Sequence, residues 1–213
     1  MEFNLIQKIA IWALPVLFAI TAHEAAHAFV AKKLGDPTAY LLGRVTFNPL
    51  KHIDPIGTIL LPLIFLILPG GFLFGWAKPV PVDFSRLNNP KRDMLWVAAA
   101  GPASNFIMAI IWGLLFKLAE GLDGNSFQLP LAYMAQAGIS INVVLMVLNL
   151  IPIPPLDGGR ILLSLLPNHL AAKLALVEPY GMFVLIGLLA TGLLSGIMAP
   201  FIALAYRVVH FIV

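Results

Sequence analysis

The sequence predicts an all-α polytopic membrane protein with five to six transmembrane helices, one re-entrant segment and a short β-hairpin near its functional site. Three observations carry this expectation. Hydrophobic residues make up 60% of the 213, where a soluble domain has about 45–50%. Charged residues make up only 11%, against about 25% usually. Apolar runs close to the roughly 20 residues that a helix needs to cross a bilayer recur along the chain. With a mean hydropathy of +0.94, the chain is neither disordered nor an ordinary soluble domain. The length suits a single membrane-embedded domain over residues 1–213, with a core of about 5–165 and C-terminal helices over about 174–213.

The first apolar run, Leu5 to Ala31, contains Pro15. It continues past any cleavage site near Thr21, so it reads as a retained span and not as a signal peptide. A polar, basic stretch follows from Lys32 to Asp54. Within it, Ala39–Phe47 alternates loosely and carries Tyr40, Val45, Thr46 and Phe47. That pattern predicts a short strand or hairpin able to pair with an unwound peptide by strand addition. The second apolar run, Pro55 to Trp76, is broken by Pro62, Pro69, Gly70 and Gly71. Further spans are expected over Met94–Leu118, Leu131–Ile151, about Leu174–Leu194 and Ile197–Val213. Pro152, Pro154 and Pro155 end the Leu131–Ile151 run and leave non-helical backbone, which is tolerated at membrane depth only where it lines a cavity.

Charge sets the expected topology. Lys32, Lys33, Arg44, Lys51, Lys78, Arg86, Lys91 and Arg92 all fall between the first run and Met94, whereas the loop 119–130 holds no Lys or Arg. The positive-inside rule puts the basic stretch in the cytoplasm. Both flanks of Pro55–Trp76 then lie on one side, so this run is expected to dip in and return. A multi-pass protein of the cell membrane, partnered by the lipid bilayer, follows. The net charge of +3 serves topology and does not point to nucleic acid. Cysteine is absent, which excludes disulfides, a thiol nucleophile and thiolate metal ligands.

Ionisable groups inside a span are functional candidates by default. The first span carries His23-Glu24-Ala25-Ala26-His27. Histidines at i and i+4 share one helical face and can reach one ion, and the Glu between them can act as general base on an activated water. Catalytic zinc usually has three protein ligands. Asp157 is the best third candidate, because it lies just past the fourth run, near the cytoplasmic depth of His23 and His27 if Pro55–Trp76 does not cross. Two imidazoles and a carboxylate suit Zn2+.

These residues resemble a known family. His23-Glu24-Ala25-Ala26-His27, Gly101-Pro102-Ala103-Ser104-Asn105 and Asn149 followed by Pro154-Pro155-Leu156-Asp157-Gly158-Gly159 are similar in order and spacing to the signatures of the site-2 protease family of intramembrane zinc metalloproteases (peptidase family M50). The stretch Arg44–Gly57 resembles one common in small bacterial and archaeal members. The resemblance implies one Zn2+ held by His23, His27 and Asp157, with Glu24 activating water. It also implies cleavage of a peptide bond within or beside a transmembrane helix of a substrate protein, and substrate handling by Asn149. Only about a dozen residues separate the third and fourth runs, so a minimal form without a PDZ or nucleotide-binding domain is expected.

Asn149 and Asn105 are candidates for holding substrate or the oxyanion, with hydrogen bonding between helices as the alternative for both. His52 and Asp54 are candidates for supporting a ligand or for capping the Pro55 segment. Asn142 reads as a packing residue. Arg160 reads as a boundary anchor or a partner of Asp54 or lipid phosphate. The rival functions are a metal-ion transporter and a non-proteolytic membrane scaffold. A serine protease would want Gly-x-Ser-Gly and an aspartyl protease two intramembrane Asp, and neither is present in a plausible place. The oligomeric state and the substrate's identity are not legible.

Overall fold

The computed structural model describes residues 4–60 and 78–213. Helix α1 spans Leu5–Lys33, started by a capping box in which Asn4 and Gln7 exchange backbone-to-side-chain bonds and ended by Lys32 and Lys33. These lysines complement the negative C-terminal end of the helix. A single helical turn, α2, covers Thr38–Leu41. After a 3₁₀ turn at Pro49–Lys51 and a π-helical turn at Pro55–Leu60, the description resumes at Lys78. The remaining helices are α3 (Pro90–Glu120), α4 (Gln128–Asn149), α5 (Asp157–Leu165), α6 (Asn168–Ala175), α7 (Glu178–Ala190) and α8 (Leu193–Ile212).

Four helices, α1, α3, α4 and α8, are long and apolar enough to cross a membrane, and α6 with α7 would make a fifth if that pair were one span. Side-chain contacts give their directions. His27 reaches Val97 while Asn105 reaches Ala19, so α1 and α3 are antiparallel. Asn105 meets Asn142 and Trp112 lies against Gly138, so α4 runs antiparallel to α3. Leu194 and Met198 pack with Val147, Ala205 and Val209 pack with Ala109, Trp112 and Ile139, and Lys117 bonds Val213. Helix α8 is therefore antiparallel to α4. One end of the bundle thus gathers the C-termini of α1 and α4 and the N-termini of α3 and α8.

Two consequences follow for the expected spans. The chain between α1 and α3 starts and finishes at the same end, so it makes no net crossing; the course of Pro55–Trp76 itself lies largely outside the described residues. The stretch expected to span over Leu174–Leu194 does not form one straight helix. It is divided between α6 and α7 with a bend of 63°, and it begins and ends at the end where α4 finishes. Lys91 ties the start of α6 there through Leu166 and Asn168 at 2.6 and 2.9 Å. Within α7 only Gly181, against the Pro154 loop, and Leu185 are buried, while Tyr180, Phe183, Val184 and Ile186 are exposed.

The strand expected over Ala39–Phe47 is not formed. Asp36, fully buried, accepts from the backbone N–H and the hydroxyl of Thr38 and from the Asp83 N–H. This carboxylate starts the α2 turn, and the Arg44 N–H closes it on the Ala39 carbonyl at 2.9 Å. A local side-chain acceptor thus outcompetes the weak alternation. Among the described residues there is no strand.

The chain has no native cysteine, so single cysteines report sidedness directly. Arg92→Cys and Lys173→Cys should label from one face of sealed vesicles, and Asp123→Cys from the other. Labelling of Lys173→Cys together with Asp123→Cys would overturn the return of the chain between α4 and α8.

Candidate metal centre

The centre is assembled from three elements that meet at the common end of the bundle. In α1, His23 and His27 lie one turn apart with their rings edge-to-face, centroids 4.6 Å apart. Helix α3 crosses directly behind them at Gly101. A Cβ on that residue would sit 2.4 Å from His27 Nε2 and 2.5 Å from His23 Cε1, so only glycine leaves room for both rings. The third element is the start of α5. The proline-rich turn after α4 delivers Asp157 as the first residue of that helix. Gly158 and Gly159 press against the backbone of Leu150, Ile151 and Pro154, within 2.3–2.4 Å of where a Cβ would stand.

Three side-chain atoms converge. His23 Nε2 and His27 Nε2 are 3.0 Å apart, and each is 3.2 Å from Asp157 Oδ2. That oxygen is buried and accepts no well-directed hydrogen bond. Tetrahedral zinc with bonds of about 2.0–2.1 Å separates its ligand atoms by roughly 3.3–3.4 Å. The observed triangle is within a few tenths of an ångström of one face of that tetrahedron. The donor set of two imidazoles and a carboxylate suits zinc as well.

The other ring nitrogens show that lone pairs point inward. His27 Nδ1 lies 2.7 Å from the Val97 carbonyl, which can only accept, so Nδ1 carries the proton and Nε2 is left as an acceptor. His23 Nδ1 lies 2.7 Å from Asn105 Oδ1 and is fixed in the same way. With both rings neutral, two imidazole lone pairs and a carboxylate oxygen therefore face one another in a buried setting. A cation relieves that repulsion.

Glu24 lines the same cavity, of about 220 Å³, together with Asn149, Phe84, Val80 and Arg160. Its Oε2 accepts from the Val80 N–H at 2.7 Å. The segment carrying Val80 is held in turn by Arg44, which donates to the Lys78 carbonyl at 2.7 Å, and by the Lys78 N–H, which bonds the His52 carbonyl at 2.9 Å. Asn149 is at the cavity edge with its amide bonded to the Leu145 carbonyl at 3.0 Å.

Other expected site residues take different places. Asn105 is fully buried behind His23 and does not line the cavity. Its oxygen faces His23 and its nitrogen donates to the Ala19 carbonyl and to Asn142, which leaves nothing for a substrate. His52 is buried and bonds the Thr46 carbonyl at 3.0 Å. Asp54 accepts from the Ile56 and Gly57 N–H groups, the capping arrangement for the Pro55 segment. Arg160 pairs with Glu178 at 3.4 Å and lies over the Phe84 ring at 5.0 Å, because α7 brings Glu178 to the cavity rim. The sequence does not mark Val97, Val80 or Asn142 as site residues. Backbone groups carry no sequence signature, but a buried Asn at membrane depth must find a partner.

The family model for Peptidase family M50 matches residues 113–190, a stretch that includes Asp157. The chain is 42% identical over 188 residues to the Bacillus subtilis (strain 168) protein named "Putative zinc metalloprotease YwhC", covering 87% of this chain and 82% of that protein. It is 31% identical over 179 residues to "Putative zinc metalloprotease Rip2" of Mycolicibacterium smegmatis, covering 84% and 66% respectively. It is 30% identical over 148 residues to "Zinc metalloprotease MJ0392" of Methanocaldococcus jannaschii, covering 70% and 32%. No solved structure matches the chain significantly.

The close approach at Gly101 yields a test. Gly101→Ala should displace both imidazoles and weaken Zn2+ binding by more than about 100-fold, beyond the usual effect of a residue outside the ligand set. Competition with a chromophoric chelator measures it, with helix content by circular dichroism as the folding control.

Proposed function

Because the chain belongs to peptidase family M50 and is a membrane metalloprotease, we propose that it hydrolyses a peptide bond within or next to a transmembrane helix of a membrane-protein substrate. The convergence of His23 Nε2, His27 Nε2 and Asp157 Oδ2 within 3.0–3.2 Å beside Glu24 is the observation that carries the reading. His23, His27 and Asp157 would hold one Zn2+, which supplies an acidified water and a polarised substrate carbonyl when bound.

The remaining work falls to the chain's own residues. Glu24, on the cavity wall, accepts the proton that the attacking water loses and delivers it to the departing amine. Its Oε2 is oriented by the Val80 N–H. One amide hydrogen of Asn149 is committed to Leu145; the other can donate to the substrate carbonyl oxygen as charge develops there. The cavity admits the water that hydrolysis consumes, while the helices around it keep the site within the bundle. A helical substrate must unwind locally before its carbonyl can be attacked, since helical carbonyls are already bonded.

Charge supports a cytoplasmic site. Lys32, Lys33, Arg44, Lys51, Lys78, Arg86, Lys91, Arg92, Arg160 and Lys173 all belong to segments at the end where the centre lies, ten of the thirteen Lys and Arg residues. Only Lys8, Lys117 and Arg207 lie toward the other end. The positive-inside rule then orients the centre to the cytoplasm.

Glu24→Gln separates this reading from a transporter or scaffold. The variant should retain Zn2+ and lose about 10²–10⁴-fold in the turnover of a transmembrane-helix peptide, the range general acid–base catalysis supplies. Wild-type cleavage by that variant would overturn the assignment. Chelation should abolish wild-type cleavage and added Zn2+ restore it, followed by electrophoresis of a labelled peptide in detergent micelles.

A further inference from the structure

Asn105 and Asn142 are both completely buried, in α3 and α4, at the depth of the apolar bundle interior. An amide in such a place has two orientations, and its neighbours decide between them. Asn142 lies 2.8 Å from the Gly138 carbonyl. A carbonyl only accepts, so Asn142 must direct its nitrogen there and turn its oxygen toward α3. That oxygen is 3.0 Å from Asn105 Nδ2, which also lies 3.1 Å from the Ala19 carbonyl. Both hydrogens of Asn105 are thereby committed, and its oxygen is left facing His23 Nδ1 at 2.7 Å.

The series has one direction. It starts at backbone carbonyls that cannot reverse and finishes at an imidazole. His27 takes its tautomer from one carbonyl, Val97. His23 takes it through two asparagines that bridge α1, α3 and α4. We propose that Asn142 is a positioning residue for the metal centre: by fixing the orientation of Asn105, it keeps the proton of His23 on Nδ1 and the Nε2 lone pair free to bind the ion. Nothing in Asn142 touches His23, the cavity or Asp157; it acts through Asn105 alone. The proposal rests on the reading of His23 as a metal ligand and deepens it.

The direction of the series makes the test selective. Asn142→Leu keeps the number and branching of the side-chain atoms and removes both bonds, leaving only the Ala19 carbonyl to hold Asn105. Asn142→Asp, protonated in this apolar setting, can donate its O–H to Gly138 and accept from Asn105, so it restores the direction. The full chain in detergent is titrated with Zn2+ against a chromophoric chelator. Asn142→Leu should bind about tenfold more weakly, the lower end of the effect of residues outside the ligand set, and Asn142→Asp within about threefold of wild type. A purely structural role predicts the reverse order, since a buried acid is harder to accommodate than leucine. Thermal unfolding of both metal-free variants registers that order separately.

Nitrogen-15 shifts of the histidine rings in metal-free protein give a second readout that does not depend on metal. The His23 Nδ1 should carry the proton in wild type and in Asn142→Asp, and lose part of that occupancy in Asn142→Leu. Wild-type zinc affinity of Asn142→Leu, or an unchanged His23 tautomer in it, would overturn the proposal. Failure of wild-type protein to bind Zn2+ would instead sink the metal reading, while the ring shifts would still test the asparagine series.

Discussion

Two imidazole nitrogens and a carboxylate oxygen, held within 3.0–3.2 Å of one another in a buried site, set the terms for the rest of the molecule. Such a cluster repels itself unless a cation joins it, and in an apolar interior the repulsion is poorly screened. Its geometry must therefore be imposed from outside. Gly101 gives up its side chain so that α3 can back the two rings, and Val97 and Asn105 fix their outer nitrogens. Gly158 and Gly159 let the first turn of α5 press onto the turn that follows α4.

The course of the chain follows from the same requirement. Side chains from the end of α1 and the start of α5 can meet only if the intervening chain returns to one face of the membrane. The antiparallel sequence α1, α3, α4 satisfies this with no net crossing between α1 and α3. The basic residues of residues 32–92 add a second, independent reason for the same arrangement, because they resist translocation. Two unrelated constraints, the meeting of His23 and His27 with Asp157 and charge at the membrane surface, thus agree on one topology.

The sequence showed the most where chemistry demands particular residue types at fixed spacing. That His23 and His27 stand side by side is legible because i and i+4 share a helical face, and that Asp157 joins them because its depth can be matched by counting crossings. Where apolar content alone is the guide, less is legible. Leu174–Leu194 has the composition of a span, yet composition does not say where a helix bends, and the chain turns between α6 and α7. The alternation over Ala39–Phe47 was too weak to hold against Asp36, whose buried carboxylate organises a turn and also gathers the Asp83 N–H. For Asn105 the sequence leaves two readings open, a substrate contact and a hydrogen bond between helices. Only the positions of Ala19 and Asn142 show that its hydrogen-bonding capacity is already used.

The setting of Glu24 extends this point. Two of its neighbours, His23 and His27, come with it on α1, but the bond that orients its carboxylate comes from Val80, 56 positions away. Val80 is in turn held by Arg44 and His52 through the backbone of Lys78 and Pro79. The Arg44–Gly57 stretch, which is far from the ligand motifs in sequence, therefore acts on the site through backbone placement and not through its side chains' contact with the ion. The motif pairs the proposed base with the ligands, whereas the loop between α1 and α3 determines where that base points. A protease site of this kind is consequently divided between a short helical signature, which a sequence displays, and a backbone strap, which only the folded chain reveals.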